Sequence, residues 1–428
     1  MMQENRVVIT GLGVVAPNAL GKADFLAALQ SGKSGISYRP DLEELQFACR
    51  VAGSPPLTEE YINSFLTPLQ RRYIQGSGLL YGCLAGLEAW QDAALPISEK
   101  EEEPDWEAGC IFGGGQSSIE VVREGIYKVD AGKVRRIGSS LIQQTMESSI
   151  SAYLGGFLGL GNQLSSNSAA CSTGSEAILM GYDRIRSGRA ERMLVGSCNS
   201  SGPYIWAGFD SMRVLCRKFN DRPEQASRPM SEQAAGFVPG SGAGALVLES
   251  LASAQARGAH IYAELKGGHL NAGGQRQGGS MTAPNIKAIE RCIRLALADA
   301  GIAAQELDAI SGHLTATMGD PAEIGAWLRA LGRSADDFPK INSLKSLIGH
   351  CLSAAGAIES VAVVLQLVHG FLHPSKNAED LHPEIAAQIS AACIPLQMEA
   401  ADLRYMAKAS FGFGDVNSCL LFARWEGE

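Results

Sequence analysis

Residues 163–196 read QLSSNSAACSTGSEAILMGYDRIRSGRAERMLVG. Residues 163–170 have the pattern of a strand, residues 172–187 carry apolar side chains at helical spacing, and residues 192–196 form a second short apolar run. A strand, a helix and a strand in such close succession are typical of a βαβ unit with parallel strands. The stretch therefore predicts an α/β fold, with Cys171 at the turn between the first strand and the helix.

Composition limits the class of protein. The chain has 428 residues, 46% hydrophobic and 19% charged, with a formal net charge of -9. These values indicate a globular protein of two domains or of two joined halves, and they argue against a general nucleic-acid binder. No apolar run approaches the ~18 uncharged residues of a membrane-spanning helix, and the N-terminus does not resemble a signal peptide. The 10 scattered cysteines lack zinc or disulfide spacing, so we expect a cytoplasmic protein without a metal site or a membrane partner.

The α/β alternation continues on both sides of this unit. Val7-Val-Ile-Thr10 and Cys110-Ile-Phe-Gly-Gly-Gly115 read as strands that enter glycine-containing bends, and residues 286–300 as a long helix. The polar, alanine-rich stretch 249–258 is the best candidate boundary, and the pattern restarts beyond it. We expect an N-terminal half of residues 1–255 and a C-terminal half of residues 256–428. No repeat is visible in the sequence, so any duplication would be structural only.

Cys171 has the surroundings of a reactive thiol. At a strand–helix turn it would be exposed and close to the positive end of the helix dipole, and both effects are expected to lower the thiol pKa. Small neighbours would let a substrate approach closely, and the Cys171 N–H would be able to bind a developing oxyanion. The alternative is an inert buried cysteine, which is the commoner role of cysteine in a cytoplasmic protein.

Two histidines lie further along the chain in distinctive segments. His313 follows a short strand, in a loop that Thr315, Thr317, Asp320 and Glu323 are able to fix. His350 comes five residues after Lys345 and precedes the small residues 353–356. One thiol with two imidazoles exceeds what hydrolysis by a Cys–His pair requires. The set predicts a site that forms a thioester and then handles a second, charged reactant.

A glycine-punctuated turn, Ser410-Phe-Gly-Phe-Gly414, lies near the C-terminus and is followed by Asp415; we call residues 410–415 the aromatic turn. Its glycines expose backbone N–H groups, so the Phe413 N–H is a candidate second oxyanion donor. The alternative is a turn whose aromatic rings simply pack against the core.

Four blocks occur together in this order: the cysteine turn, Ser227-Arg-Pro229 with Gly236-Phe-Val238, the two histidine segments, and the aromatic turn. With them the chain resembles, over essentially its whole length, the β-ketoacyl-acyl-carrier-protein synthases of the type II elongating kind, which are thiolase-like condensing enzymes. The resemblance implies an α/β fold of five layers, αβαβα, built from two similar halves. It also implies a dimer, either of identical subunits or with a related ketosynthase or chain-length subunit.

The resemblance further implies a role for each site residue. Cys171 would accept an acyl chain from the phosphopantetheine arm of an acidic acyl carrier protein, and no bound cofactor is implied. His313 and His350 would then assist decarboxylation of a malonyl-carrier protein, while the N–H groups of Cys171 and Phe413 bind the oxyanion. Supporting residues would be Lys345, Glu359 and Thr315; gate and acyl-pocket residues would be Gln116, Phe209, Phe411 and Phe413; carrier-docking residues would be Arg71, Arg72, Arg135, Arg136 and Arg213.

Some positions depart from the family pattern. Leu314 stands where the family has glycine, and Ala316 stands where it has glycine or serine. Asp415 stands where the family has a further glycine. Gln116 stands where an apolar acyl-pocket residue is common. An unpaired polar group in a pocket for saturated chains costs roughly a few kcal/mol, so Gln116 favours an unsaturated, aromatic or oxygenated chain. The alternative is that Gln116 bonds to backbone and leaves specificity unchanged.

The pathway and the catalytic class each have competing interpretations. The departures favour a dedicated polyketide or aryl-polyene pathway over housekeeping fatty-acid elongation. A non-catalytic or chain-length-controlling partner subunit is the alternative of a different class, and it is disfavoured because Cys171, His313, Lys345 and His350 are all present. A thiolase would need a second cysteine near the C-terminus, and Cys419 lies in an apolar strand pattern typical of core.

Overall fold

The computed structural model of the protein describes residues 4–427. Within them the strands are β1 (Val7–Ala16), β2 (Ala19–Leu20), β3 (Ile36–Tyr38), β4 (Val51–Gly53), β5 (Ala108–Gly114), β6 (Leu164–Ser165), β7 (Arg192–Asn199), β8 (Gly242–Ser250), β9 (Ala263–Ala272), β10 (Ala309–Ser311), β11 (Lys340–Asn342), β12 (Phe371–Leu372), β13 (Glu399–Ala400), β14 (Tyr405–Gly412) and β15 (Val416–Arg424).

The α-helices of the same residues are α1 (Gly21–Ser31), α2 (Pro40–Glu44), α3 (Glu59–Asn63), α4 (Pro68–Arg72), α5 (Ser77–Asp92), α6 (Ile119–Asp130), α7 (Leu141–Thr145), α8 (Ser149–Leu158), α9 (Thr173–Arg186), α10 (Pro203–Ser211), α11 (Leu251–Ala256), α12 (Ile286–Ala300), α13 (Asp320–Leu331), α14 (Lys345–Ile348), α15 (Ala355–His369) and α16 (Pro383–Ala386). Two short 3-10 turns matter for the site: Ala170–Ser172 leads into α9, and Leu352–Ala354 leads into α15.

The main sheet has the strand order β11-β10-β14-β15-β9-β1-β8-β7-β5-β6, with β2 paired to β1. Antiparallel pairing of β1 with β9 joins two halves at its middle. Each half contributes five main strands, which are β1, β5, β6, β7 and β8 in the N-terminal half and β9, β10, β11, β14 and β15 in the C-terminal half. From the joint outward, the strands of each half come in the order first, fifth, fourth, second and third. In both halves the inner two pairings are antiparallel and the outer two are parallel. The two halves therefore share one topology, which confirms that the duplication is structural.

Alternation along the strands produces the layers. Because successive side chains point to opposite faces of a sheet, Ile111 faces the core that α9 and α15 share, and Phe112 faces the core under α5 and α8. In the other half Leu420 faces the shared core, and Leu421 faces the core under α12 and α13. Helices α9 and α15 thus lie between the two halves of the sheet, and the five-layer αβαβα prediction is confirmed.

Predicted element bounds are correct in some places and wrong in others. Helix α12 has the predicted bounds, whereas the strand predicted over residues 163–170 is reduced to β6. The reason is local: the Asn167 carbonyl still accepts from the Gly114 N–H of β5 (3.2 Å), but the Asn167 side chain donates to the Thr173 carbonyl (2.9 Å) and to Glu176 (2.7 Å). These side-chain bonds fold the chain into the cysteine turn instead of continuing the strand. The candidate boundary 249–258 contains the end of β8 and all of α11, and the division at residue 255 stays a prediction.

One segment is closer to membrane-spanning length than the sequence predicts. Leu352–His369 is 18 residues long and apolar enough to cross a membrane, but 89% of it is buried inside the protein. Its first turns cross those of α9 at a close contact of glycines. A Cβ on Gly174 would lie 2.4 Å from the Ala357 nitrogen, and one on Gly356 would lie 2.6 Å from the Ser175 nitrogen. The segment is therefore a core helix of this fold, and the glycines allow the two central helices to approach.

Candidate active site

Cys171 lies in the sharp 3-10 turn before α9. Ala170 has a left-handed backbone, with φ of 47°, which few non-glycine residues adopt. Thr173 holds this conformation by donating from Oγ1 to the Ala170 carbonyl (2.7 Å). Ser172 donates from Oγ to the Ser410 carbonyl (3.1 Å), which fastens the cysteine turn to the aromatic turn. The thiol is thereby held at a fixed place where strand ends of both halves meet.

His350 faces the thiol in one defined tautomer. Its Nε2 is 3.1 Å from the Cys171 Sγ. Leu352 N–H donates to Nδ1 (3.2 Å), so the neutral ring must carry its proton on Nε2. The His350 N–H donates to the Val238 carbonyl (2.7 Å), and the Phe237 ring lies edge-on with 5.3 Å between centroids. His350 is therefore oriented to donate a hydrogen bond toward the sulfur and toward any ligand atom beside it.

His313 completes the cluster. Its ring centroid lies 5.5 Å from that of His350, and one nitrogen of each ring lies with the Cys171 sulfur in a group no wider than 4.8 Å. The loop is fixed as predicted: Glu323 accepts from the His313 N–H (2.7 Å), and Asp320 accepts from the Thr315 N–H (2.8 Å). The structure therefore brings the three side chains together, and their catalytic roles stay predictions.

The two departures in this loop have structural explanations. Leu314 is fully buried in the core under α12 and α13, so it adds packing where glycine would add none. Ala316 has a φ of 62°. Its N–H donates to Asp320 (3.1 Å) and its carbonyl accepts from the Gly236 N–H (3.0 Å), which hold it in this conformation. Neither residue disturbs the position of His313.

A buried ion triad lies behind the cluster. Glu359, on α15, is 2.6 Å from the Lys345 ammonium and 2.7 Å from the Lys408 ammonium, and all three side chains are at most 2% exposed. Ser227 donates to the Lys345 carbonyl (2.5 Å), which explains why the Ser227-Arg-Pro229 block accompanies the site. Two cations and one anion leave a net positive charge beside the thiol and the imidazoles.

The protonation states follow from burial and from this charge. Burial raises the pKa of the Cys171 thiol to about 11, although Lys345 and a hydrogen bond from the Phe413 N–H oppose the shift. The prediction of a lowered thiol pKa is therefore wrong, because desolvation outweighs the helix end and the cations. Burial, with Lys345 as the next cause, lowers the pKa of both His313 and His350 well below the usual range. At neutral pH the site holds a thiol and two neutral imidazoles.

The cluster has the spacing of a metal site. Thiolate and imidazole are ligands that zinc prefers, and Cys171, His313 and His350 lie close enough to share an ion. The ammonium groups of Lys345 and Lys408 act on the same side chains and lower the pKa of both imidazoles. A positive field of this kind disfavours a divalent cation, so the cluster suits a substrate that brings negative charge.

Aromatic rings enclose the cluster. The Phe209 ring lies 5.5 Å from that of Phe237 and 6.1 Å from that of Phe413, and the Phe411 ring lies 6.1 Å from that of His313. These contacts place Phe209, Phe411 and Phe413 around the imidazoles. Their assignment to a gate or to an acyl pocket stays a prediction.

Gln116 lies at the surface of the chain. It is exposed, and residues 4–427 contain no hydrogen bond to its side chain, so the alternative in which it bonds to this chain's backbone is not found. Its neighbour Gly115 donates to the Ser353 hydroxyl (3.0 Å), which places Gln116 next to the turn that precedes α15. Its place in an acyl pocket stays a prediction.

The candidate docking arginines are separated into groups. Arg72, Arg135, Arg136 and Arg213 are exposed, whereas Arg71 is half-buried and donates to the Ile74 carbonyl. The 3-10 turn with Arg135 and Arg136 and the helix α10 that precedes Arg213 both contact α6. Arg135, Arg136 and Arg213 therefore all lie on or next to segments that contact α6. Their docking role stays a prediction.

Sequence reasoning missed Lys408 and the second bond of Glu359. A signal was present, because a lysine within the strand pattern Tyr405-Met-Ala-Lys-Ala-Ser410 would be fully buried and therefore needs a charged partner. It also missed what the Gly236-Phe-Val238 block does, namely to hold His350 through the Val238 carbonyl and the Phe237 ring.

Family models account for most of the chain. The model for the N-terminal domain of β-ketoacyl synthase matches residues 4–254, and the model for the C-terminal domain matches residues 262–379. Among curated proteins, 3-oxoacyl-[acyl-carrier-protein] synthase I, chloroplastic, of Arabidopsis thaliana is 34% identical, over 99% of this chain and 87% of its own length.

Solved ketosynthases have the same fold. A complex described as a type II polyketide synthase acyl-carrier protein with its ketosynthase bound to the hexaketide (AntDE:AntF) matches with a TM-score of 0.87 and 30% identity, over 99% of this chain and 100% of the other. The ishigamide ketosynthase/chain length factor matches with a TM-score of 0.87 and 28% identity, over 99% and 100%.

Proposed function

The chain belongs to the β-ketoacyl synthase family of acyltransferase-type condensing enzymes, and we propose that it loads an acyl group on Cys171 and condenses it with a malonyl group. The observation that carries the proposal is the convergence of one thiol with two neutral imidazoles beside a buried net positive charge. Such a site accepts a thioester, and it favours a second substrate that carries a carboxylate.

The first step is transfer of the acyl group. The Cys171 sulfur attacks the thioester carbonyl, a new carbon–sulfur bond forms, and the carrier's pantetheine thiol leaves with the proton that Cys171 gives up. The carbonyl oxygen becomes an oxyanion and accepts hydrogen bonds from the N–H groups of Cys171 and Phe413, which are fixed before reaction. Although the resting thiol pKa is raised to about 11, Lys345 and the Phe413 N–H both favour the thiolate that this step requires.

The second step is decarboxylation and carbon–carbon bond formation. The bond between the malonyl carboxylate and its α-carbon breaks, carbon dioxide leaves, and the electron pair moves to the thioester oxygen of an enolate. His350 can donate from Nε2 to that oxygen, because its Nδ1 is occupied by the Leu352 N–H, and His313 lies beside it. The enolate carbon then attacks the acyl carbonyl, the Cys171 thiolate leaves, and a 3-oxoacyl thioester is released.

The aromatic rings around the site serve this reaction by excluding water. A carbanion equivalent is protonated by water, and an acyl-cysteine is hydrolysed by it, so both intermediates need a closed site. Phe209, Phe237 and Phe413 form a contiguous set of rings, and Phe237 also packs against His350. This enclosure fits a carbon nucleophile better than hydrolysis.

We propose an acidic acyl carrier protein as the partner that delivers both substrates. Support comes from the exposed Arg135, Arg136 and Arg213 near α6, and from the AntDE:AntF complex, which contains an acyl-carrier protein. The double variant Arg135→Glu/Arg136→Glu should raise KM for a carrier-bound substrate by about 10-fold and leave KM for an acyl-pantetheine substrate unchanged. The exposed Arg189→Glu serves as control. Equal effects on both substrates would contradict docking.

We further propose that the protein forms a dimer and that the acyl chain loaded on Cys171 is of the polyketide type. In the single chain β6 ends the sheet. Helices α6 and α7 border an apolar groove of about 300 Å³ whose side chains include Val122, Ile126, Val129 and Leu141.

An unsaturated or oxygenated chain is supported by the polar Gln116, and a partner of the chain-length kind by the similarity to the ishigamide ketosynthase/chain length factor. Native mass spectrometry of the protein purified from its own cells tests both the partner and the chain.

The decisive test follows mass and carbon dioxide together. The protein is incubated with an acyl-pantetheine thioester and then with a malonyl thioester, and we expect the acyl mass on the Cys171 peptide, followed by carbon dioxide and a 3-oxoacyl product. His313→Ala should still acylate but lose carbon dioxide release by more than about 100-fold. Acylation at another residue, or carbon dioxide release that is unchanged in His313→Ala, would contradict the proposal.

A further inference from the structure

Asp415 is a buried residue with a strained backbone at the end of the aromatic turn. It is 1% exposed and has a φ of 64°, a left-handed conformation that normally favours glycine. The family pattern has glycine there, so this chain carries the strain in addition to burying a carboxylate. A side chain retained under both penalties must have compensating contacts.

The contacts lie on one loop. One carboxylate oxygen accepts from the Asn285 N–H (2.8 Å) and the other from the Gln275 N–H (2.9 Å). The Asp415 carbonyl accepts from the Gly273 N–H (2.8 Å), and the Gly414 N–H donates to the Met281 carbonyl (2.8 Å). We call residues 273–285, which connect β9 to α12, the arch. One aspartate thus fastens both ends of the arch to the aromatic turn.

The arch depends on these bonds for its shape. Its residues Gly274, Gln275, Gln277 and Gly278 all have left-handed backbones, with φ of 64°, 52°, 53° and 93°. Gly273 and Gly279 lie directly against the carboxylate, because a Cβ on either would approach an Asp415 oxygen to 2.1 Å and 2.6 Å. The arch is therefore closely fitted to the aspartate side chain, and an unfastened arch would relax.

The aromatic turn connects this fastening to the reacting sulfur. A Cβ on Gly412 would lie 3.0 Å from the Cys171 nitrogen, and the Phe413 N–H favours the Cys171 thiolate by lowering the thiol pKa. Phe413 also contacts Phe209, so the turn forms part of the enclosure. A turn tied to the arch can move away from Cys171 only if the arch moves with it.

We propose that Asp415 is a positioning residue that latches the arch to the aromatic turn and limits the size of the acyl group that reaches Cys171. The specificity half of this proposal rests on acyl loading as proposed above, whereas the latch itself does not. With glycine in its place the turn keeps its left-handed backbone without strain, but only the two backbone bonds, from the Gly273 N–H and to the Met281 carbonyl, still join it to the arch. The turn is then held less firmly against the arch. The enclosure then opens more easily for branched or aromatic acyl groups.

The test compares Asp415→Gly, Asp415→Asn and the wild type. Amide hydrogen exchange of peptides over residues 273–285 should be about 10-fold faster in Asp415→Gly, because two charge-assisted bonds are lost. The ratio of Cys171 acylation rates with a phenylacetyl and an acetyl pantetheine thioester, measured by intact mass, should rise about 10-fold. Asp415→Asn keeps one acceptor oxygen and should lie between the two. Gln46→Gly is the matched control, because Gln46 is exposed with a φ of 62° far along the chain from the arch.

Each outcome decides a separate point. Unchanged exchange in the arch of Asp415→Gly would overturn the latch, and faster exchange with an unchanged acylation ratio would overturn its role in specificity. A wild type that accepts neither thioester, while the exchange rates change as expected, would contradict the proposed acyl loading and leave the latch supported. Equal changes in Gln46→Gly would attribute the effect to glycine alone and overturn the proposal.

Discussion

The turns that lead into α9 and α15 are two copies of one backbone device. Ala170 and Leu352 have φ of 47° and 50°, and each stands three residues before the first residue of its helix, Thr173 or Ala355. The residue after the left-handed position differs. In the N-terminal half it is Cys171, whose sulfur faces His350, and in the C-terminal half it is Ser353.

The Ser353 hydroxyl is occupied by hydrogen bonds, whereas the Cys171 sulfur faces the imidazole cluster. Ser353 Oγ donates to the Cys198 carbonyl (2.6 Å) and accepts from the Gly115 N–H (3.0 Å), so both its donor and an acceptor site are occupied. One turn therefore presents a sulfur to His350, and its counterpart joins the two halves. The helices also differ at the position four residues after their first residue. There α9 has Ala177, whereas α15 has Glu359, which is paired with two lysines. The two halves therefore share the same backbone turn, and the side chains at equivalent positions have different partners.

The largest effect should come from truncating the side chain at each of these two positions to alanine. Cys171→Ala should lower acyl transfer by more than about 1,000-fold, because no other group can form the thioester, and leave the fold intact. Ser353→Ala should keep acylation within a few-fold but lower the free energy of unfolding by about 1–3 kcal/mol, because the half-buried Gly115 N–H loses its acceptor and the buried Cys198 carbonyl loses its donor. Intact-mass acylation assays and urea titrations measure the two quantities, and loss of acylation in Ser353→Ala would break the comparison.

The next effect concerns the charge that only the C-terminal half carries. Glu359→Gln leaves Lys345 and Lys408 buried without an anion, which should lower the free energy of unfolding by roughly 3–5 kcal/mol. The surface pair Lys340–Glu399, whose side chains are 37% and 38% exposed, serves as control, and Glu399→Gln should cost less than about 1 kcal/mol. Similar urea midpoints for the two variants would argue against a buried ion triad.

The pH dependence of stability has a definite sign for this carboxylate. The two lysines hold the pKa of Glu359 below its ordinary value of 4.5, against the opposing effect of burial. The folded state therefore binds fewer protons than the unfolded state, so its stabilisation is full above about pH 4.5 and is lost as the pH falls through the lower folded value. Acid unfolding of the wild type should show this loss, and Glu359→Gln should lack it.

A smaller effect is expected in the reactivity of the thiol. Because the pKa of Cys171 is raised to about 11, its alkylation by iodoacetamide should rise by about 10-fold per pH unit from pH 7 toward pH 10, as the thiolate fraction does. Peptide mass spectrometry follows the reaction at Cys171, with free glutathione as the reference thiol. A plateau below pH 8 would mean that the net positive charge outweighs burial.

The smallest effect should come from Gln116, which occupies a comparable place to His313. Each stands two residues after the second main strand of its half, β5 or β10. Gln116→Ile should leave the total acylation rate of Cys171 within a few-fold and shift the preference toward saturated chains by about 3–10-fold, because a polar group is removed from their path. Competition between saturated and unsaturated acyl thioesters measures the shift. An unchanged profile would remove Gln116 from the acyl pocket.

Local patterns predicted the elements, and long-range contacts determined the rest. The βαβ unit around Cys171, the helix α12 and the three reactive side chains were predictable because each depends on a few neighbouring residues. The thiol pKa was not, because it depends on how completely the fold buries the sulfur. Lys408 and the bonds of Asp415 were also missed. The partner of Lys408, on strand β14, is Glu359 on helix α15, and the partners of Asp415 are backbone N–H groups more than a hundred residues away in the chain.

The burial of α15 has a consequence for how the protein is made. This apolar helix packs against α9 and β8 of the N-terminal half and against β14 and β15 at the end of the chain. The face of α15 that packs against β14 and β15 therefore stays uncovered until these last strands have been synthesised and have paired. Folding that waits for such distant partners is slow and exposes aggregation-prone surface meanwhile. Expression of this protein should depend on chaperones that bind apolar helices, and truncation before β15 should remove it from the soluble fraction.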